Sequence, residues 1–222
     1  MDGKAVKTYM DRPAKALLKL DTSIYSTDGQ SSRLADHFVA AWRKRHPTAE
    51  VITRDLARDT VPHVNAQRFG SFLAKPGKRS ADQQAVVDYS DALIDELRRA
   101  DVVVLGLPMY NFGVPSTLKA YFDHIARAGV TFRYTEKGPV GLLTGKKVYV
   151  FATRGGLYAG TPRDTQSACV RDFLQFLGFE DVEFVYAEGL AINAERKEAA
   201  LSNAQQAIER LVVQPALERL AA

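Results

Sequence analysis

Cysteine is nearly absent: Cys169 is the only one in 222 residues. No intrachain disulfide can form and no cysteine cluster can hold zinc, which suits a reducing, cytoplasmic compartment. No apolar run approaches the roughly 18 residues that span a bilayer, so no membrane partner is expected. The opening MDGKAVKTYMDRP has no apolar stretch and is not a secretory signal. It reads as a disordered extension over residues 1–13, interrupted by Pro13, ahead of a single domain over 14–222. A strong charge of one sign is also lacking, since 30 basic residues face 26 acidic ones for a net +4. The densest cluster, Arg43-Lys44-Arg45-His46, falls where a helix should end and complements its dipole, so nucleic acid is not an expected partner. The four histidines, His37, His46, His63 and His124, have no ligand spacing, so no metal is expected. Neither a Ser-His-Asp nor a Cys-His arrangement is evident.

Strand and helix signals alternate along the chain. Residues 14–21, 49–56, 101–108, 146–153 and 181–188 read as strands. Residues 34–46, 80–100, 114–129, 164–178 and 194–220 read as helices, with Ser80 as an N-cap and Gly129 and Gly178 as C-terminal stops. Residues 57–79 and 130–145 read as two long irregular connections. Five strands alternating with five helices predict an α/β fold: a doubly wound five-stranded parallel sheet with helices on both faces. Ligands of such folds bind beyond the C-terminal strand ends, at the topological switch point.

Three strand-end loops carry the chemistry, and all three fall on that one edge. DTSIYSTDGQSSRL (21–34) offers hydroxyls and backbone amides, then a helix N-terminus, to a phosphate. It lacks the Gly-Lys-Ser/Thr end of a P-loop and the Gly-x-Gly-x-x-Gly spacing. The plain alternative is a polar turn with Ser31 or Ser32 as N-cap. LPMYNFGVPSTLK (107–119) is poor turn chemistry; Met109, Tyr110 and Phe112 exposed together suit a flat ring laid over them, with Asn111 reading its edge. The alternative is burial under the 130s segment. TRGGLYAGTPRD (153–164) brings Gly155 and Gly156 for close backbone approach, and Arg154 for negative charge on a reduced ring. Together they read as phosphate at the first loop and a planar ring between the other two, which describes FMN in a flavodoxin-like fold.

The chain also resembles the FMN-dependent NADH-azoreductase/NADH:quinone oxidoreductase family. The resemblance runs over nearly all of 15–220 and is strongest in PMYNFGVPSTLKAYFDHIARAGVTFRYTEKGPVGLLTGKK (108–147), supported by TRGG (153–156) and AEG (187–189). It implies FMN phosphate contacts at Ser23, Gly29, Gln30 and Ser31, with Gly29 standing where the family often has serine. It implies ring contacts at Pro108, Met109, Tyr110, Asn111 and Phe112, and at Thr153, Arg154, Gly155 and Gly156. Tyr134, Tyr158 and Phe176 match substrate-lining positions. Tyr158 stands where some members carry histidine, and part of that lining comes from the other subunit of a homodimer.

The activity so implied is an oxidoreductase of ping-pong type, in which the flavin rather than any catalytic side chain carries the chemistry. NADH or NADPH delivers a hydride; a quinone takes two electrons in one turn, and an azo compound is cleaved to amines in two. Two other classes share the fold. A one-electron carrier is usually strongly acidic, unlike this chain, and a receiver domain needs an acidic cluster and a lysine after its last strand, where Glu188-Gly189-Leu190 stands instead. His124 is read as a packed or dimer-facing residue before a proton donor, and Cys169 as a small core residue.

Overall fold

The computed structural model describes residues 16–213, in which seven strands and six α-helices follow one another along the chain. Strand β1 (Ala16–Asp21) leads into helix α1 (Gln30–Arg45), followed by β2 (Glu50–Asp55), α2 (Ala66–Leu73), α3 (Ala81–Arg99) and β3 (Val102–Pro108). Helix α4 (Ser116–Ile125) is followed by the short strands β4 (Phe132–Thr135) and β5 (Gly138–Gly141), then β6 (Lys147–Thr153), α5 (Thr165–Leu177), β7 (Asp181–Ala187) and α6 (Ala194–Val213). The expected extension over residues 1–13 and the end of the last expected helix lie outside the described residues.

The main sheet has the order β2-β1-β3-β6-β7, with every neighbouring pair parallel. The chain steps outward from β1 to β2, then returns across β1 to β3. That reversal sets the C-terminal ends of β1 and β3 side by side at the switch point. Strand β3, VVVLGLP, is buried at every position, as a strand covered on both faces must be.

Alternate side chains feed two cores. Leu18, Leu20, Val103, Leu105, Leu107, Val148 and Val150 pack with residues of α3, α4 and α5, including Leu93, Ile94, Tyr121 and Leu174. On the other face Leu17, Val104, Phe151 and Val185 meet Leu34, Phe38 and Trp42 of α1 and Ile208 of α6. Each buried aliphatic side chain contributes about 1.5–3 kcal/mol of transfer free energy. Helices thus cover both faces of the central strands, and the loops leave the sheet at the C-terminal strand ends.

The fold class is as expected, with four local corrections. The stretch 57–79 contains α2, whose N-cap Asn65 accepts from the Arg68 amide, and Gly70 inside it weakens the helical signal. The 130–145 connection is an antiparallel hairpin of β4 and β5. Helix α4 stops at Ile125, and Gly129 (φ +78°) instead turns the chain so that its amide donates to the Phe132 carbonyl. Cys169 is exposed: the buried stripe of α5 is Gln166, Val170, Leu174 and Leu177, and Cys169 falls beside it.

His124 is buried between the ring edges of Phe72 and Tyr89, 6.0 and 5.5 Å away, with Nδ1 3.1 Å from the Ala120 carbonyl. The packed reading therefore holds. Burial lowers its pKa, with Arg68 adding to the effect and the Ala120 bond and Asp123 opposing it. A base depressed in the fold contributes stability that is present above about pH 6.5 and is lost as pH falls through the folded value. We expect His124→Leu to lose less of its urea-unfolding midpoint between about pH 7.5 and 5.5 than the wild type does; equal losses would refute this.

Candidate functional site

Three loops meet at the C-terminal edge of the sheet. After β1, the Thr22 hydroxyl donates to the Gly106 carbonyl at 2.7 Å and ties the first loop to β3. Ser23 is buried, and its Oγ accepts from the Tyr25 amide at 3.2 Å. Ser26 takes a left-handed φ of +53° and donates its hydroxyl to Asp55 at the end of β2. The chain then enters α1 through Gly29, which caps the helix without a side chain. By contrast Asn65, Ser80 and Asp164 each supply a side-chain oxygen to their own helices.

Ser31 and Ser32 therefore lie within the first turn of α1, which begins at Gln30, and neither is its N-cap. Both are fully buried, and their hydroxyls have no partner. Uncapped amides beside unpaired hydroxyls at a helix N-terminus have the chemistry that suits an anion. Glycine is needed at position 29, because a Cβ there would lie 2.3 Å from Ser23 Oγ. At Gly106 a Cβ would come within 3.0 Å of the Ser31 carbonyl, so glycine in β3 lets α1 sit close.

Beneath this cradle Lys19 Nζ lies 2.9 Å from Asp21 and also contacts Asp36. Asp21 is fully buried, and burial raises its pKa, with Asp36 and Asp55 adding to the rise and Lys19 opposing it. Lys19 is thus committed to carboxylates.

The second loop begins at buried Pro108. The Met109 amide donates to the Thr153 carbonyl at 3.0 Å, carrying the β3–β6 pairing one step further. Tyr110 and Gly113 then exchange both backbone bonds, at 3.2 and 2.9 Å, around Asn111 (φ +49°) and Phe112 (φ +62°). Asn111 and Phe112 are exposed and Met109 and Tyr110 are half-buried, so burial under the 130s segment is ruled out. The Tyr110 hydroxyl is 3.2 Å from Ser23 Oγ and accepts from the Ile24 amide at 3.3 Å, which couples this turn to the first loop.

The third loop follows Thr153 at the end of β6. Arg154 corrects the sequence expectation for its side chain. It is fully buried, and it donates to Asp164 (2.8 Å), Ser167 (2.8 Å) and Glu188 (3.0 Å) while lying 5.0 Å from the Tyr186 ring centroid. Its charge is matched inside the protein by Asp164 and Glu188, and there it holds the loop. Burial works against the Asp164 carboxylate, but its bonds from Arg154 and Ser167 prevail and hold its pKa below the usual range. Gly155 and Gly156 remain at the surface of the loop. A Cβ on Gly156 would stand 2.7 Å from the Tyr158 hydroxyl, and the Tyr158 ring meets Phe112 edge-on at 5.7 Å.

Tyr134 and Phe176 are not brought to this edge. Phe176 lies near the C-terminal end of α5, about 16 Å along the helix from its first residue at 1.5 Å per residue. There it packs on Phe132, which Tyr134 also touches, at ring distances of 4.3 and 5.4 Å. Within one chain this cluster belongs to the opposite end of the sheet, because α5 runs antiparallel to the strands. Of the other expected residues, Ser23, Gly29, Gln30 and Ser31 share the first loop, Pro108 to Phe112 the second, and Thr153 to Gly156 with Tyr158 the third.

Sequence reasoning assigned no role to Thr165, Gln166 or Glu188. Gln166 is 1% exposed and donates from Nε2 to the carbonyls of Pro108 (2.8 Å) and Gly113 (3.0 Å). The Thr165 hydroxyl donates to the Phe112 carbonyl. Glu188 Oε1 accepts from the amides of Tyr158 and Ala159 as well as from Arg154. The available signal was Arg154 itself: an arginine just past an apolar strand needs an acid nearby, and Glu188 directly follows the neighbouring strand. Among the described residues, no group of three or more His, Cys, Asp or Glu is placed to hold a metal ion, and no helix is long and apolar enough to cross a membrane.

A parallel sheet of this order, with uncapped helix amides and an aromatic turn at its switch point, is that of the flavodoxin-like class. The chain belongs to the flavodoxin-like fold family, whose model matches residues 15–212. It is 54% identical over 194 residues to an FMN-dependent NADH:quinone oxidoreductase of Cellvibrio japonicus, covering 87% of this chain and 96% of that protein. It is 52% identical over 192 residues to the protein of the same name from Burkholderia thailandensis, covering 86% and 97%. Among solved structures it is similar to an FMN-dependent NADH-azoreductase from Bacillus anthracis in complex with FMN, with a TM-score of 0.80, 26% identity, and coverage of 89% of this chain and 99% of that one.

Removing one partner of a buried ion pair typically costs about 3–5 kcal/mol. Arg154→Met should therefore destabilise the fold by about that amount, since it strands Asp164 and Glu188. Chemical denaturation measures it, and a loss under about 1 kcal/mol would mean that Arg154 does not hold this loop.

Proposed function

We propose that this chain is an FMN-dependent oxidoreductase that passes electrons from NADH or NADPH to quinones and azo compounds. The carrying observation is the anion cradle of α1 placed next to the aromatic turn at the switch point. The relatives named above support the cofactor and the electron donor.

The residues fit FMN on their own chemistry. The uncapped amides of α1 and the unpaired Ser31 and Ser32 hydroxyls suit a phosphate, joined by Ser23. Met109 to Phe112 and Gly155-Gly156 suit a planar ring between two loops. A bound flavin supplies two-electron exchange with both donor and acceptor. The first loop would hold the phosphate, and the 108–113 segment with Gly155 and Gly156 would orient the ring. Phe112 and Tyr158 then border one shared opening. Donor and acceptor use it in turn, which is a ping-pong order, and an azo compound needs two such turns for cleavage to amines.

The proposed assembly is a cytoplasmic homodimer. Tyr134 is 73% exposed on its hairpin, with Val140 and Leu142 also exposed nearby. On the loop edge Tyr25, Phe112, Leu157 and Ile192 are exposed. The hairpin of one copy laid over the loops of another buries both apolar sets and delivers Tyr134 to the opening.

Purified protein should be yellow, bleach anaerobically on adding NADH, and regain colour with a quinone such as menadione, with no partner protein present. Stopped-flow absorbance follows both halves separately, and a colourless protein that takes up no FMN on titration would sink the proposal. For the dimer, Tyr134→Ala should leave flavin content unchanged while lowering kcat/KM for a quinone about tenfold, the scale of one lost aromatic contact. An unchanged kcat/KM would remove Tyr134 from the opening.

A further inference from the structure

Asn111 and Phe112 both take left-handed backbone conformations, at φ +49° and +62°. Neither is glycine, and such a conformation costs on the order of 1–3 kcal/mol per residue. It persists only where the surroundings hold it. Two backbone bonds between Tyr110 and Gly113 close the turn, yet a turn of this type normally takes glycine or asparagine at both centres. Phenylalanine at the second centre calls for outside support.

The first turn of α5 supplies it. Gln166 sits buried below the turn, and its single amide nitrogen donates to the carbonyl entering the turn, Pro108 at 2.8 Å, and to the carbonyl leaving it, Gly113 at 3.0 Å. An amide NH₂ has two hydrogens, one for each carbonyl, and carries no charge. Thr165 donates to the Phe112 carbonyl between them. The same helix turn holds Asp164, which receives Arg154 from the third loop. One turn of helix therefore sets the second loop against the third.

We propose that Gln166 is a positioning residue for the flavin, its amide clamping both ends of the strained 110–113 turn so that the ring-binding side chains are held ready. This rests on the reading that the edge binds FMN. Methionine has the length of glutamine and donates nothing. An ionised glutamate sets negative charge against two carbonyl oxygens, whereas a protonated one restores a single hydrogen bond. Gln166→Glu thus converts the clamp into a pH-dependent one.

The test uses the flavin-loaded wild type, Gln166→Met, Gln166→Glu and, at the exposed neighbouring position, Thr165→Val. FMN dissociation is followed by recovery of flavin fluorescence across pH, and amide hydrogen exchange is read over residues 109–113. Gln166→Met should dissociate about tenfold faster at every pH, and Thr165→Val about threefold faster. Gln166→Glu should be the fastest at neutral pH and slow markedly as pH falls, while the wild type and Gln166→Met change little. Exchange in the turn should rise in the same order, with α1 and β2 unaffected. A flat, wild-type-like profile for Gln166→Glu overturns the proposal, as does exchange that rises throughout α5. A wild type that takes up no flavin overturns the functional reading instead, and the exchange comparison then still decides whether Gln166 clamps the turn.

Discussion

A guanidinium with no access to water has to be matched by acids that are themselves held in place, and Arg154 ties two elements, α5 and β7, to its own loop by that condition. Its partners come from the cap of α5 (Asp164), the first turn of α5 (Ser167) and the residue just after β7 (Glu188). The backbone follows the same pattern. The Arg154 amide donates to Ala187, and the amides of Gly189, Leu190 and Ala191 donate to Gly156, Arg154 and Gly155. The loops after β6 and β7 are thereby laced together, and Glu188 collects the amides of Tyr158 and Ala159. A loop rich in glycine would otherwise pay the full backbone entropy of its freedom; here one buried charge defines its path.

Local irregularities gather on the same edge. The described residues with non-glycine positive φ are Ser26, Asn111 and Phe112, all in the first and second loops. Two of the unpartnered buried hydroxyls, those of Ser31 and Ser32, line the first turn of α1, whose cap is a glycine. By contrast α2, α3 and α5 have side-chain caps at Asn65, Ser80 and Asp164, with a full capping box at Ser80 and Gln83 and a left-handed Gly178 closing α5. The sheet and its two cores carry the stability that lets one edge remain unsatisfied.

This division explains what was legible in the sequence. The five parallel strands could be read because a strand buried on both faces, such as VVVLGLP, is apolar without alternation. Of the three loops, the second stood out because Met109, Tyr110 and Phe112 together make poor turn chemistry; the first and third offered only hydroxyls and glycines that an ordinary turn also carries. The hairpin of β4 and β5 could not, since Phe132, Arg133 and Tyr134 alternate too briefly before the turn at 136–137 to give a period. The role of Arg154 was misassigned because composition names a charge without saying which way it points. Gln166 was invisible for a related reason: a glutamine in a helix is usually a solvated residue, and only the two carbonyls set opposite it make it structural. Cys169 was misplaced by a rotation of α5 that helical periodicity alone leaves open.

The distance between the two aromatic groups carries the argument beyond one chain. Phe112 and Tyr158 meet at the C-terminal edge of the sheet, while Tyr134, Phe132 and Phe176 cluster at the other end of α5. The backbone of Gly141 sits against that of Gly178, where a Cβ would lie 2.1 Å from the Gly178 amide, so the hairpin is locked to the end of the helix. The Leu143 amide, donating to Leu177 at 2.9 Å, fixes it further. A hairpin held this way cannot swing along the helix to reach its own loops. If its exposed tyrosine serves the opening, it serves that of another copy. The rigidity that parts the two groups within one chain is then what would make their meeting between chains specific.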